Sequence, residues 1–227
     1  MPTEINDCPA LAMIHTVPGI IPAFNELVGV HLPSWRSFNM LDESLLGNTI
    51  REGALSPQTM RRLAGHIWSA VDAGASAVLV TCSSLGPAVD ATMSLCPVPL
   101  FRIDDGMAIE AIRRGNRIGV LATLPTTMNP TTRLIERHAQ RMGHKASVTG
   151  RLCDGAFEKL RSGDRAAHDA MIREGLASLV GSVDVVVLAQ ASMANALNKM
   201  SEASVPVLAS PELGVLHMSS ALNALAR

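Results

Sequence analysis

The sequence predicts an α/β protein built from two similar lobes, each a parallel sheet flanked by helices, with a cleft between them. Three observations carry this expectation. Short apolar runs alternate with helical patterns along all 227 residues, the signature of repeated βα units. The run Val-Asp-Val-Val-Val-Leu-Ala-Gln at 183–190 is almost continuously apolar, as a strand buried on both faces should be. Finally, residues 12–18 resemble 119–125, and 77–84 resemble 185–192, at offsets of 107 and 108 residues. Two matches in the same order at nearly the same offset indicate a duplicated half.

Taken in order, the apolar runs predict strands at 10–16, 35–41, 77–82 and 98–103, then at 117–123, 145–152, 183–190 and 205–209. Between them the helical patterns fall at 21–30, 57–73, 88–94, 106–114, 129–142, 164–180, 193–199 and 213–226. Both copies of the first repeated strand end in Thr-x-Pro, at Thr16-Val17-Pro18 and Thr123-Leu124-Pro125. The expected division is a first lobe at 1–103 and a second at 104–205, with a C-terminal helix in 206–227 returning to the first lobe.

Composition removes several functions. Hydrophobic residues make up 48% of the chain, too many for a disordered protein. A net charge of −1 and an aromatic content of 3% with no Tyr give nucleic acid neither a basic surface nor stacking platforms. No stretch approaches the roughly 20 apolar residues of a membrane span, and the N-terminus lacks the pattern of a secretory signal. A cytoplasmic protein with no nucleic-acid or membrane partner is therefore expected. The four cysteines, Cys8, Cys82, Cys96 and Cys153, form no CxxC pair and no zinc spacing, so free thiols are expected. There is no GxGxxG, P-loop or HExxH motif, and no nucleotide or metal cofactor is expected.

Open parallel sheets bind ligands at the carboxyl ends of their strands. In two facing lobes those ends converge on one cleft. They carry His15, Thr16, Thr81, Cys82, Ser83, Ser84, Thr123, Thr126, Thr127, Gln190, Ala191 and Ser192. Small hydroxyls together with helix N-termini suit a small carboxylate without requiring a basic residue. Cys82 is the catalytic candidate, although a cysteine after a buried strand is commonly inert; Cys8, Cys96 and Cys153 read as structural. The Gly86-Pro87 junction predicts a helix N-terminus directly after Cys82, which would lower its thiol pKa below about 8.5. The threonines read equally well as helix caps. His15 is either a second proton carrier or a paired core histidine. Gln190 is costly in a Val-rich strand unless paired; its amide, like Ser192, can donate to a carboxylate or a developing enolate. Asp42 and Glu43 read as rim or turn, and Arg113, Arg114 and Arg117 as a solvated helix end.

The chain resembles the aspartate/glutamate racemase superfamily, which includes amino-acid and hydantoin racemases, maleate isomerase and arylmalonate decarboxylase. The resemblance rests on IHTVPG at 14–19, LDESLL at 41–46, VTCSSLGPAVD at 80–90, VLATLPTT at 120–127 and VVVLAQASMANAL at 185–197. It implies two catalytic cysteines, one from each half, on opposite faces of the substrate carbon. Cys82 occupies the first position, while the second falls at Gln190, which cannot exchange a proton as a thiol does. The expected function is therefore a cofactor-independent isomerase or racemase acting next to a carboxylate through Cys82. The alternatives are a single-cysteine decarboxylase of a malonate-like acid and a non-catalytic carboxylate-binding protein. A homodimer is expected for an enzyme of this size.

Overall fold

A computed structural model describes residues 8–199 and 204–225 and resolves the alternation into two four-stranded parallel sheets. The first contains β1 (Ala10–His15), β2 (Arg36–Leu41), β3 (Ala77–Val80) and β4 (Leu100–Arg102), in the order β2-β1-β3-β4. The second contains β5 (Arg117–Ala122), β6 (Ser147–Leu152), β7 (Val185–Leu188) and β8 (Val207–Ala209), in the order β6-β5-β7-β8. The helices are α1 (Ile21–His31), α2 (Glu43–Glu52), α3 (Pro57–Asp72), α4 (Gly86–Met93), α5 (Asp105–Arg114), α6 (Pro125–Arg141), α7 (Ala156–Arg161), α8 (Arg165–Leu179) and α9 (Ser210–Leu225).

The duplication is visible bond by bond. The Ile14 carbonyl accepts from the Thr81 N–H at 3.0 Å, and the Leu121 carbonyl accepts from Ala189 at 2.9 Å. The Cys82 carbonyl accepts from Leu85 at 3.1 Å, and the Gln190 carbonyl from Met193 at 3.0 Å. Cys82 and Gln190 thus hold equivalent places.

Burial explains why the strands were legible. Every residue of β1, β3 and β7 is buried. Side chains alternate between two faces along each strand. In the first sheet, Ala12, Ile14, Val78 and Val80 pack beneath α2, α3 and α4. Leu11, Met13, Ala77 and Leu79 pack against α1 and α9. In the second sheet, Ile118, Val120 and Val187 meet α5 and α6, whereas Leu121, Val186 and Leu188 meet α7 and α8.

Two helices cross between the halves. α5 follows β4 yet packs on the second sheet, and α9 follows β8 yet packs on the first. They meet at glycines: a Cβ on Gly106 would run into the carbonyl oxygen of Leu213, and one on Gly214 into that of Ile103. Gly106→Ala is expected to lower the unfolding free energy by about 1–3 kcal/mol through overpacking, measured by urea denaturation.

The structure differs from expectation in three places. β8 pairs with β7, so 207–209 remains in the second sheet and the return to the first lobe begins at Ser210; the predicted helix end at 226 lies outside the described residues. The predicted helix at 193–199 is a 3₁₀ stretch, Ala191–Lys199. Two short helices, α2 and α7, were not predicted. Asp42 is the N-cap of α2, its carboxylate accepting from the Ser44 N–H at 3.0 Å, rather than part of a solvated turn.

Candidate active site

The carboxyl ends of β1, β3, β5 and β7 converge on a cleft between the halves. Its floor is a pocket of about 30 Å³ lined by Thr16, Thr81, Cys82, Ser83, Ser84, Thr127, Gln190, Ala191 and Ser192, with apolar closure from Leu46, Leu124 and Phe157. The floor opens into an outer cleft of about 440 Å³. Most of the predicted cleft wall is therefore gathered in one place. His15, Thr123 and Thr126 do not line it.

Cys82 follows β3 in extended conformation and precedes a 3₁₀ turn, Ser83–Leu85, that leads into α4. Burial pushes its thiol up from the ordinary value. A hydrogen bond from the Thr16 hydroxyl and the backbone N–H groups of Leu85 and Ser84 oppose this, and the Asp104 carboxylate adds to it. The expectation of a lowered thiol is thus corrected: desolvation of the sulfur outweighs the donors of a tight turn. The resting group is a neutral thiol, and thiolate appears only as the pH climbs. Alkylation of Cys82 by iodoacetamide, followed by peptide mass spectrometry, is expected to accelerate with pH to an inflection above that of an ordinary thiol. Thr16→Val should move that inflection further up, because the hydroxyl that favours thiolate is gone; an inflection below the ordinary thiol value would contradict this geometry.

Gln190, the counterpart of Cys82, is held by Thr123, the counterpart of Thr16. Its Oε1 accepts from the Thr123 N–H at 2.7 Å and its Nε2 donates to Thr123 Oγ1 at 2.6 Å. The cost of an amide at this strand end is thereby met, and one Nε2 hydrogen is left for a ligand. Thr123 accordingly serves Gln190 rather than the pocket. Thr127 Oγ1 lies 2.6 Å from Ser84 Oγ, a hydroxyl bridge between the halves. The buried hydroxyls of Ser83 and Thr126 have no hydrogen-bond partner among the described residues. Ser83 lines the floor and is a free donor there.

His15, read as either a second proton carrier or a paired core histidine, lies off the cleft lining in a paired, buried position. Its ring is fully buried, with Nε2 2.8 Å from Asn39 Oδ1 and Nδ1 2.9 Å from Thr81 Oγ1. Burial lowers its pKa, and the Asn39 bond only partly opposes this. A neutral ring donates from Nε2 to Asn39 Oδ1, and the Thr81 hydroxyl sits between Nδ1 and the Ile14 carbonyl oxygen, to which it donates at 3.1 Å. Sequence periodicity pointed to a strand end but could not tell which face of it the ring occupies.

Sequence reasoning missed the cleft walls. Leu46 and Ile50 come from α2, Phe157, Leu160 and Arg161 from α7, and Arg165 from the start of α8. The Asp-Glu-Ser cap at 42–44 signals α2, whereas the six residues of α7 are too few for a periodicity. The expectation that no basic residue is needed to hold the ligand did not foresee Arg161 and Arg165, which line the outer cleft.

Among the described residues no helix is long and apolar enough to cross a membrane. No curated protein sequence matches the chain. Among solved structures, it is similar to a glutamate racemase from Francisella tularensis in complex with D-glutamate, with 14% identity, 98% of this chain and 83% of that one covered, and a TM-score of 0.75. It is also similar to an aspartate racemase from Picrophilus torridus, at 12% identity, 93% and 94% coverage and a TM-score of 0.70. An allantoin racemase from Pseudomonas fluorescens superimposes at 21% identity, 96% and 92% coverage and a TM-score of 0.64. At these identities the likeness is one of fold. The profile of the Asp/Glu/hydantoin racemase family matches residues 20–218, and the chain belongs to that family.

Proposed function

We propose that this protein catalyses cofactor-independent proton transfer at the carbon next to the carboxylate of a small acid, with Cys82 moving the proton from one face only. Family membership supports a racemase- or isomerase-type reaction. One observation carries the finer reading: Cys82 and Gln190 occupy equivalent places on the same pocket floor, and only one of them can exchange a proton. The substrate carboxylate accepts hydrogen bonds from the Ser83 hydroxyl, Ser192 and the remaining Nε2 hydrogen of Gln190. In the minor deprotonated fraction, whose thiol proton has gone to solvent, the thiolate takes the α-proton and these donors take up the charge that moves onto the carboxylate oxygens. The same thiol then returns a proton, to the same carbon or to a conjugated position on the same side.

A second reading draws on the neutral thiol and the apolar closure by Leu46, Leu124 and Phe157. A poorly solvated carboxylate that loses carbon dioxide would leave a carbanion for the Cys82 thiol to protonate, as in the decarboxylation of a malonate-like acid. Incubation in deuterium oxide with amino acids, hydantoins, maleate and substituted malonates, followed by mass spectrometry, separates the readings. Deuterium uptake or double-bond isomerisation without loss of mass supports the first. Release of carbon dioxide with one deuterium gained supports the second. Carboxylate binding with neither change would overturn both in favour of a binding protein.

A further inference from the structure

We infer that the outer cleft is a second subsite for an anionic group, so that the natural substrate is an elongated acid: a reacting carboxylate at Cys82, an apolar middle and a second anionic group at the far end. The inference rests on the proposed role of the Cys82 floor and extends it to substrate class. The outer cleft measures about 440 Å³, within the roughly 300–1,000 Å³ of pockets that enclose drug-sized ligands and far above the floor pocket of about 30 Å³. A bare small acid would leave most of it empty.

The cleft's lining is segregated. Val17 and Ile20 from the loop after β1, Leu46 and Ile50 from α2, and Phe157 and Leu160 from α7 form apolar walls contributed by both halves. Charge comes from Arg161 at the end of α7, Arg165 at the start of α8, and a single carboxylate, Glu43. Two guanidinium groups against one carboxylate leave the cleft net cationic. Neither arginine has an ion-pair partner among the described residues. The Arg165 guanidinium also reaches the opposite half, with Nη2 3.5 Å from the position that a Cβ on Gly19 would take. An arginine placed against a glycine across the cleft can grip a ligand that bridges the two halves, and guanidinium suits bidentate pairing with a carboxylate or phosphate.

The test measures protection of Cys82 from iodoacetamide by three probes that differ at the far end: phenylacetate, 4-carboxyphenylacetate and 4-(aminomethyl)phenylacetate. The carboxylated probe is expected to protect at a concentration about 10-fold lower than phenylacetate, the lower end of the gain from one hydrogen bond to a charged group, and the cationic probe to protect worst. In Arg161→Gln/Arg165→Gln the three should protect alike, whereas Arg161→Lys/Arg165→Lys should keep the order. Equal protection by the three probes in the wild type, or an order unchanged in the glutamine variant, would overturn the second subsite while leaving the Cys82 floor as proposed. Failure of every carboxylate to protect would overturn the floor reading and the subsite with it.

Discussion

Cys82→Ala is expected to slow solvent-proton exchange into the substrate about 10²–10⁴-fold, the usual contribution of a positioned acid or base. The thiol stands on the pocket floor beside Thr16, and among the described residues no other side chain lining that floor is acidic, basic or a thiol. The variant should remain folded, because Cys82 is only partly buried and alanine removes one atom from a wall that already borders a cavity. Carboxylate binding should persist, since Ser83, Gln190 and Ser192 remain. Cys153→Ala provides the contrast. That thiol is buried on the far side of the second sheet, among α7 and α8, with Sγ 3.4 Å from the Met171 carbonyl oxygen, and its loss should leave exchange unchanged. Initial rates of deuterium incorporation, measured by mass spectrometry for the three proteins, check all of this; equal rates in wild type and Cys82→Ala would remove the thiol from the mechanism.

Arg102→Met is expected to lower the unfolding free energy by about 3–5 kcal/mol, the cost of leaving buried charge unpaired. Arg102 is the last residue of β4 and is buried. Its Nε and Nη2 donate to the two oxygens of the fully buried Asp104 at 3.0 and 2.8 Å. Its Nη1 donates to Asp90 at 2.6 Å, and Asp90 also accepts from Arg137 of α6 at 2.8 Å. Methionine fills the volume but leaves Asp104 without its partner. The damage should reach the site as well, because a Cβ at Gly86 would overlap the Arg102 guanidinium, so that this side chain is the surface on which the turn after Cys82 rests. Urea denaturation gives the stability, and the exchange rate under conditions where the variant is folded gives the loss at the site.

Strand positions were legible because a strand buried on both faces shows as an unbroken apolar run, as in β7, and because duplication repeats that signal. Boundaries shrank by two residues where Thr81 and Cys82, and Ala189 and Gln190, lie beyond the ends of β3 and β7. The floor was legible for the same reason: Thr16, Cys82, Ser84, Gln190 and Ser192 all follow strands whose ends converge. What the sequence could not reveal depends on which way a side chain faces. His15 belongs to a fully buried strand and turns toward Asn39 and Thr81 rather than the cleft. The Cys82 thiol is raised because burial outweighs its N–H and hydroxyl donors, a balance of magnitudes that no motif encodes. Arg161 reaches the cleft from a helix of six residues, too short to announce itself by period, and Arg165 from the first turn of α8, where a helical pattern does not tell which way the side chain points.

In the proposed mechanism one thiol, Cys82, moves the proton and the Gln190 amide does not. Chiral analysis of the deuterated acid formed by the wild-type protein tests it most directly. Starting from a single enantiomer in deuterium oxide, the expected product carries deuterium at the α-carbon with the configuration retained, or a proton shifted along one side of a conjugated acid. Formation of the opposite enantiomer at the rate of deuterium uptake would show a proton delivered from the Gln190 side and would contradict it.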